Sequence, residues 1–149
     1  MNFLLDTNVV SEWAKPRPDP GVGAWLADVD EDRVFLSVVT LAEIRYAIER
    51  LPDGRRRKRL DDWLQNDLPA RFSGRILTVD TGVAEMCGRV MARSEQRGRP
   101  IGGMDALLAA TAQAHGLALV TRNAADFEAC LNSVVNPWTH GQASSGREA

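Results

Sequence analysis

Short apolar runs rich in β-branched residues alternate along this chain with longer segments of helical period. Phe3–Leu5, Val34–Ser37, 76–79, 117–121 and Val134–Val135 read as strands. Between them, residues 22–29, 39–51, 55–68, 83–91, 104–115 and 124–131 repeat apolar side chains at helical spacing. Leu41, Ile44, Ile48 and Leu51 form one such stripe. Pro52-Asp53-Gly54 breaks the pattern, Asp80-Thr81 can cap the next helix, and Gly116 ends the Ala-rich segment before it. Pro16, Pro18 and Pro20 mark the first connection as a loop. Strands that are apolar throughout and separated by helices predict an α/β fold, a central parallel sheet flanked by helices on both faces.

The chain has 149 residues, enough for one domain with its own core. We expect that domain to span residues 1–138 and residues 139–149, which carry no apolar pattern, to be a disordered tail. Cys87 and Cys130 supply no disulfide framework and no zinc spacing, so both read as reduced core residues of a cytoplasmic protein. The start of the chain lacks a leader pattern, and no apolar run is long enough to span a membrane. A net charge of −2 gives no global nucleic-acid signature, so a nucleic-acid ligand would need a local basic patch.

The chemistry lies in the acids. Ligands of parallel α/β sheets collect at the carboxyl ends of the strands. Asp6 ends the first strand, where nothing local needs a charge. Glu43 follows the second strand, Asp105 opens the Ala-rich helix, and Asp126 follows the fourth strand. Each of these three has a second reading. Thr40-x-x-Glu43 is a capping-box pattern, Asp105 suits a helix N-terminus, and Asp126 suits a loop or cap. The predicted topology brings all four to one edge of the sheet. Clustered carboxylates repel unless a proton or a cation neutralises them. An all-oxygen set suits Mg²⁺, with Mn²⁺ also possible, and neither His115 nor His140 is near enough in the pattern to argue for zinc.

Four segments in order carry a resemblance. They are Leu4-Leu5-Asp6-Thr7-Asn8, Ser37-x-x-Thr40-x-x-Glu43, Asp105-Ala106-Leu107-Leu108-Ala109-Ala110-Thr111-Ala112, and Thr121-Arg122-Asn123-x-x-Asp126-Phe127. Over residues 1–138 the chain resembles the PIN domain, in particular the VapC-type toxins of bacterial toxin–antitoxin pairs. Ser11-Glu12 and Asn136-Pro137-Trp138 are most similar to the FitB branch. The resemblance implies a metal-dependent endoribonuclease that hydrolyses RNA with a metal-activated water and acts as a toxin. It implies Asp6 and Asp105 as principal metal ligands, Glu43 as a helper, and Asp126 as the fourth acid, with Asn123 where some members carry Asp. Asn8, Ser37, Thr40, Thr121 and Arg122 match or adjoin polar positions lining the site. Also implied are an RNA substrate, a cognate antitoxin protein, a homodimer, and a larger toxin–antitoxin assembly on DNA.

RNA must also be gripped. Arg55-Arg56-Arg57-Lys58-Arg59 is the densest basic run and reads either as a phosphate-binding patch or as a solvated helix start. Arg45, Arg97, Arg99 and Arg122 are further candidates. Trp13, Trp25 and Trp63 read as core or interface residues more readily than as base-stacking platforms. Two other functions compete. A receiver-type domain phosphorylated on Asp6 would need a suitably placed lysine, and Lys15 and Lys58 are the only ones. A non-catalytic binding module would keep the fold without the metal.

Overall fold

The computed structural model describes residues 1–141. Its centre is a five-stranded, all-parallel sheet in the order β3-β2-β1-β4-β5. The strands are β1 (Phe3–Leu5), β2 (Val34–Ser37), β3 (Ile76–Leu77), β4 (Ala118–Val120) and β5 (Val134–Val135). The helices are α1 (Thr7–Trp13), α2 (Pro20–Asp28), α3 (Val38–Glu49), α4 (Arg55–Asp62), α5 (Leu68–Arg71), α6 (Thr81–Gln96), α7 (Gly103–His115) and α8 (Ala124–Glu128). β1 is the middle strand, in register Leu4↔Phe35 with β2 and Leu4↔Leu119 with β4.

Successive residues of the strands supply opposite cores. Leu4 and Leu119 join Val83, Val90, Leu108 and Phe127 on one face. Leu5 and Val120 join Val9, Val22, Leu64 and Phe72 on the other. That two-sided burial is why the strands read as continuous apolar runs rather than as an alternation. α7 is a core helix, with Ala106, Leu108, Ala109, Ala110 and Ala112 fully buried. Gly116 ends it in the left-handed conformation (φ 64°), and Leu117 N–H donates to Ala112 O across the turn.

The chain departs from the sequence-based expectation in several places. α1 was not anticipated. Asp6 caps it, Val9 and Val10 are buried, and Trp13 meets Phe72 edge to face at 6.0 Å. The segment 55–68 is not one α-helix, because a π-helical turn at Trp63–Asp67 separates α4 from α5. β3 and α8 are shorter than the runs 76–79 and 124–131. At the far end, a 3-10 turn spans Pro137–Thr139, and His140 Nε2 lies 2.9 Å from Asp28 Oδ2. Described contacts therefore reach past residue 138. Residues 142–149 of the expected disordered tail lie outside the described residues. Gly21 lets the 3-10 turn seat on α2: a Cβ there would lie 2.7 Å from the carbonyl oxygens of Pro137 and Trp138.

Both cysteines are free, Cys87 buried and Cys130 half-buried. Among the described residues no helix is long and apolar enough to cross a membrane.

Candidate active site

From β1 the chain runs outward to β2 and β3, then returns to place β4 on the other side of β1. The carboxyl ends of β1 and β4 thus form the topological switch point, where such sheets open a crevice. Asp6 leaves β1 there and Thr121 leaves β4 there, tied by Asp6 N–H donating to Val120 O at 2.9 Å.

Asp6 is only 4% exposed. Its Oδ1 accepts from Thr7 N–H at 2.6 Å, capping α1. Its Oδ2 accepts from the Thr121 hydroxyl at 2.8 Å and from Asn8 Nδ2 at 3.3 Å. Thr121 Oγ1 in turn accepts from Asn123 N–H at 3.1 Å, and Asn8 Oδ1 accepts from Arg122 N–H at 3.2 Å. These bonds knit the two strand ends into one unit. Burial still outweighs them and raises the Asp6 pKa, with the Glu43 charge adding to the rise.

Glu43 joins through Thr7, whose hydroxyl donates to Glu43 Oε1 at 2.7 Å and lies 3.3 Å from the Thr40 hydroxyl. The capping-box reading of Thr40 and Glu43 is overturned. Ser37, extended at φ −105° and ψ 150°, is the cap of α3, and its Oγ accepts from Val39 N–H at 3.0 Å. The helix therefore starts earlier, and Thr40 and Glu43 lie one turn apart on a face that meets Thr7. Buried Ser37 serves the helix end, with no hydrogen bond to any of the acids.

Asp105 is in the first turn of α7, half-buried, and Asp126 is exposed in the first turn of α8. Burial, then the charges of Asp6 and Asp126, raise the Asp105 pKa. Repulsion therefore links Glu43 to Asp6, Asp6 to Asp105, and Asp105 to Asp126. None of the four acids has a basic partner among the described residues. Asn123 precedes α8 without a side-chain capping bond, and the exposed Arg122 guanidinium lies 5.2 Å from the Trp138 ring centre.

Thr7 is the site residue that sequence reasoning passed over. It stood between two singled-out residues, and the missed helix α1 hid the face it shares with Thr40 and Glu43. Glu12, part of the Ser11-Glu12 pattern similar to the FitB branch, is structural: it accepts from Asp19 N–H at 2.9 Å and pairs with Lys15 at 2.7 Å. That pairing removes one of the two lysines a receiver-type site could have used, and the other, Lys58, is on α4.

The donor set is all oxygen, as a hard divalent cation requires. Among the described residues no three His, Cys, Asp or Glu side chains close tightly round one point. That is compatible with Mg²⁺, which takes one or two carboxylates directly and fills its octahedron with waters. Asp6 and Asp105, a neighbouring pair of repelling carboxylates without a cationic partner among the described residues, fit such an ion.

A doubly wound parallel sheet with four acids at its switch point defines the class. The chain belongs to the PIN domain family, whose model matches residues 3–129. It is 36% identical to VapC ribonuclease Y4jK of Sinorhizobium fredii, covering 91% of this chain and 97% of that one. It is 37% identical to Toxin FitB of Neisseria gonorrhoeae, covering 91% and 98%. Among solved structures it is similar to FitAB bound to an IR36 DNA fragment, with a TM-score of 0.85, 35% identity, and coverage of 91% and 95%.

Proposed function

We propose that this chain is a divalent-metal-dependent endoribonuclease, the toxin of a toxin–antitoxin pair. The observation that carries it is the row of acids Glu43, Asp6, Asp105 and Asp126, each repelling the next and none paired with a base. The names of its relatives support the substrate class: one is a VapC ribonuclease, and a more distant one from Shigella flexneri, 27% identical, is a tRNA(fMet)-specific endonuclease. The FitAB complex supports an antitoxin partner and an assembly on DNA. We further propose a cytoplasmic homodimer.

Asp6 and Asp105 are the principal ligands of Mg²⁺ or Mn²⁺ in this reading, with Glu43 and Asp126 beside them. A bound divalent cation would supply an acidified water and stabilise charge on a phosphoryl oxygen. Thr7, Asn8 and Thr121 fix the orientation of the Asp6 carboxylate, which would hold the ion. Thr7 also fixes Glu43, which holds the attacking water. Hydrolysis breaks the bond from phosphorus to the 3′ oxygen; water supplies the new oxygen of a 5′-phosphate, and a 3′-hydroxyl remains.

Incubating the purified chain with end-labelled single-stranded RNA tests this. Cleavage with Mg²⁺ or Mn²⁺, abolished by EDTA and leaving 5′-phosphate ends, is the expected result. Equal cleavage in EDTA, or 2′,3′-cyclic phosphate ends, would refute it.

A further inference from the structure

Helix N-termini favour acids, because the dipole and the free N–H groups make that end positive. α4 does the opposite. It opens on Arg55, Arg56, Arg57, Lys58 and Arg59, with no acid in its first turn and no side chain capping it. Arg57 has a structural role: it donates to Glu49 at 2.6 Å, to Asp53 at 3.4 Å and to Leu51 O at 3.1 Å. The side chains of Arg55, Arg56, Lys58 and Arg59 have no ion pair or hydrogen-bond partner among the described residues. Four cations without an ion pair therefore repel one another and the helix end, with Asp62 and Asp67 the acids that share their groove.

The π-helical turn at Trp63–Asp67 follows directly. Such turns are rare and concentrate at functional sites. Trp63 is half-buried and forms part of the wall of two adjoining grooves. One, of 530 Å³, is lined by Arg55, Lys58 and Arg59 together with Asp62 and Asp67. The other, of 360 Å³, has Arg56 and Arg59 on its wall and reaches Thr7 and Glu43. The basic helix and Glu43 of the candidate active site thus share one groove.

We propose that α4 and Trp63 bind a single-stranded stretch of RNA flanking the bond that is cut. Arg55, Arg56, Lys58 and Arg59 hold its phosphates, and a base stacks on Trp63. This rests on the ribonuclease reading above. RNA accounts for three features together: closely spaced cations, an aromatic side chain among them, and a groove that runs on to Glu43.

The test is fluorescence anisotropy of a labelled 12-nucleotide single-stranded RNA with the full chain, in EDTA, over a series of salt concentrations. Each phosphate neutralised on a single strand contributes about 0.7 to the salt slope. Arg56→Gln/Arg59→Gln is expected to make the slope shallower by about 1.4. Trp63→Leu is expected to weaken binding about fivefold or more through loss of one stacked base, at unchanged slope. Arg56→Lys/Arg59→Lys should restore the slope. A wild-type slope below about 1.4 in magnitude would overturn the proposal without any variant. So would a slope that Arg56→Gln/Arg59→Gln leaves unchanged, or tighter binding of a poly-glutamate peptide than of RNA at the same arginines. RNA cleavage with an unaltered slope would sink this site and leave the ribonuclease reading standing. An α4-dependent slope in a chain that cuts no RNA would do the reverse.

Discussion

Thr121→Val isolates the support of Asp6. Thr121 is fully buried, and valine keeps its shape while removing the hydroxyl. The principal bond lost is the 2.8 Å donation to Asp6 Oδ2, beside a 3.4 Å acceptance from the Asn8 Nδ2 amide. A hydrogen bond to a charged group contributes about 1.5–3 kcal/mol. Asn123 is exposed and its N–H can turn to water, so the Asp6 bond dominates. In a domain of this size about 1 kcal/mol shifts the melting temperature by about 2–4 °C, so the expected fall is roughly 3–12 °C. The pH dependence has a definite sign. The Thr121 donor lowers the Asp6 pKa, so the variant's folded-state pKa lies above that of the wild type. The penalty is therefore complete where Asp6 is ionised in both proteins. It is lost as pH falls through the two folded-state values. Thermal melts of both metal-free proteins, followed by circular dichroism from neutral to acid pH, measure it. A gap that is absent near neutrality, or that widens in acid, would refute the reasoning.

Asp6→Asn should reverse a different trend. Burial holds the Asp6 pKa above its ordinary value, so the metal-free wild type loses stability as pH rises from that ordinary value through the folded-state one. Asparagine removes this dependence while still capping α1, and urea denaturation in EDTA should show a flatter profile with greater stability near neutrality. Gly21→Ala drives a methyl onto the Pro137 and Trp138 carbonyl oxygens, and should cost about 1–3 kcal/mol in the same assay. Phe127→Ala empties a fully buried site beneath α8 and should cost about 3–5 kcal/mol, with weaker metal binding because α8 carries Asp126.

The sheet was legible because its strands are buried on both faces: Leu4 and Leu5 go to opposite cores, and no polar residue interrupts them. Asp6 stood out for a related reason, since a charge directly after such a strand shows no local use in the sequence; the structure adds one, the cap of α1. α1 was hidden because Thr7, Asn8, Ser11 and Glu12 leave only Val9, Val10 and Trp13 as an apolar stripe, and the proline-rich loop follows at once. Ser37 and Thr40 are both plausible caps by residue type. Backbone conformation chose Ser37, and that turned Thr40 and Glu43 toward Thr7. The π-helical turn had no signature, because Leu60, Trp63, Leu64 and Leu68 also fit an unbroken helix. The pairwise repulsion of the acids depends on burial and proximity, which topology suggested and only coordinates could supply.

In the proposed reading these acids form one metal-dependent hydrolytic site. The most direct measurement is the initial rate of RNA cleavage against Mn²⁺ concentration, for wild type and for Asp105→Asn. Asp105 has no hydrogen bond from its side chain among the described residues, so the variant should fold like the wild type. Its rate at saturating Mn²⁺ should fall about a hundredfold or more, with half-saturation moved to higher metal. Wild-type rates and metal dependence in Asp105→Asn would contradict the account.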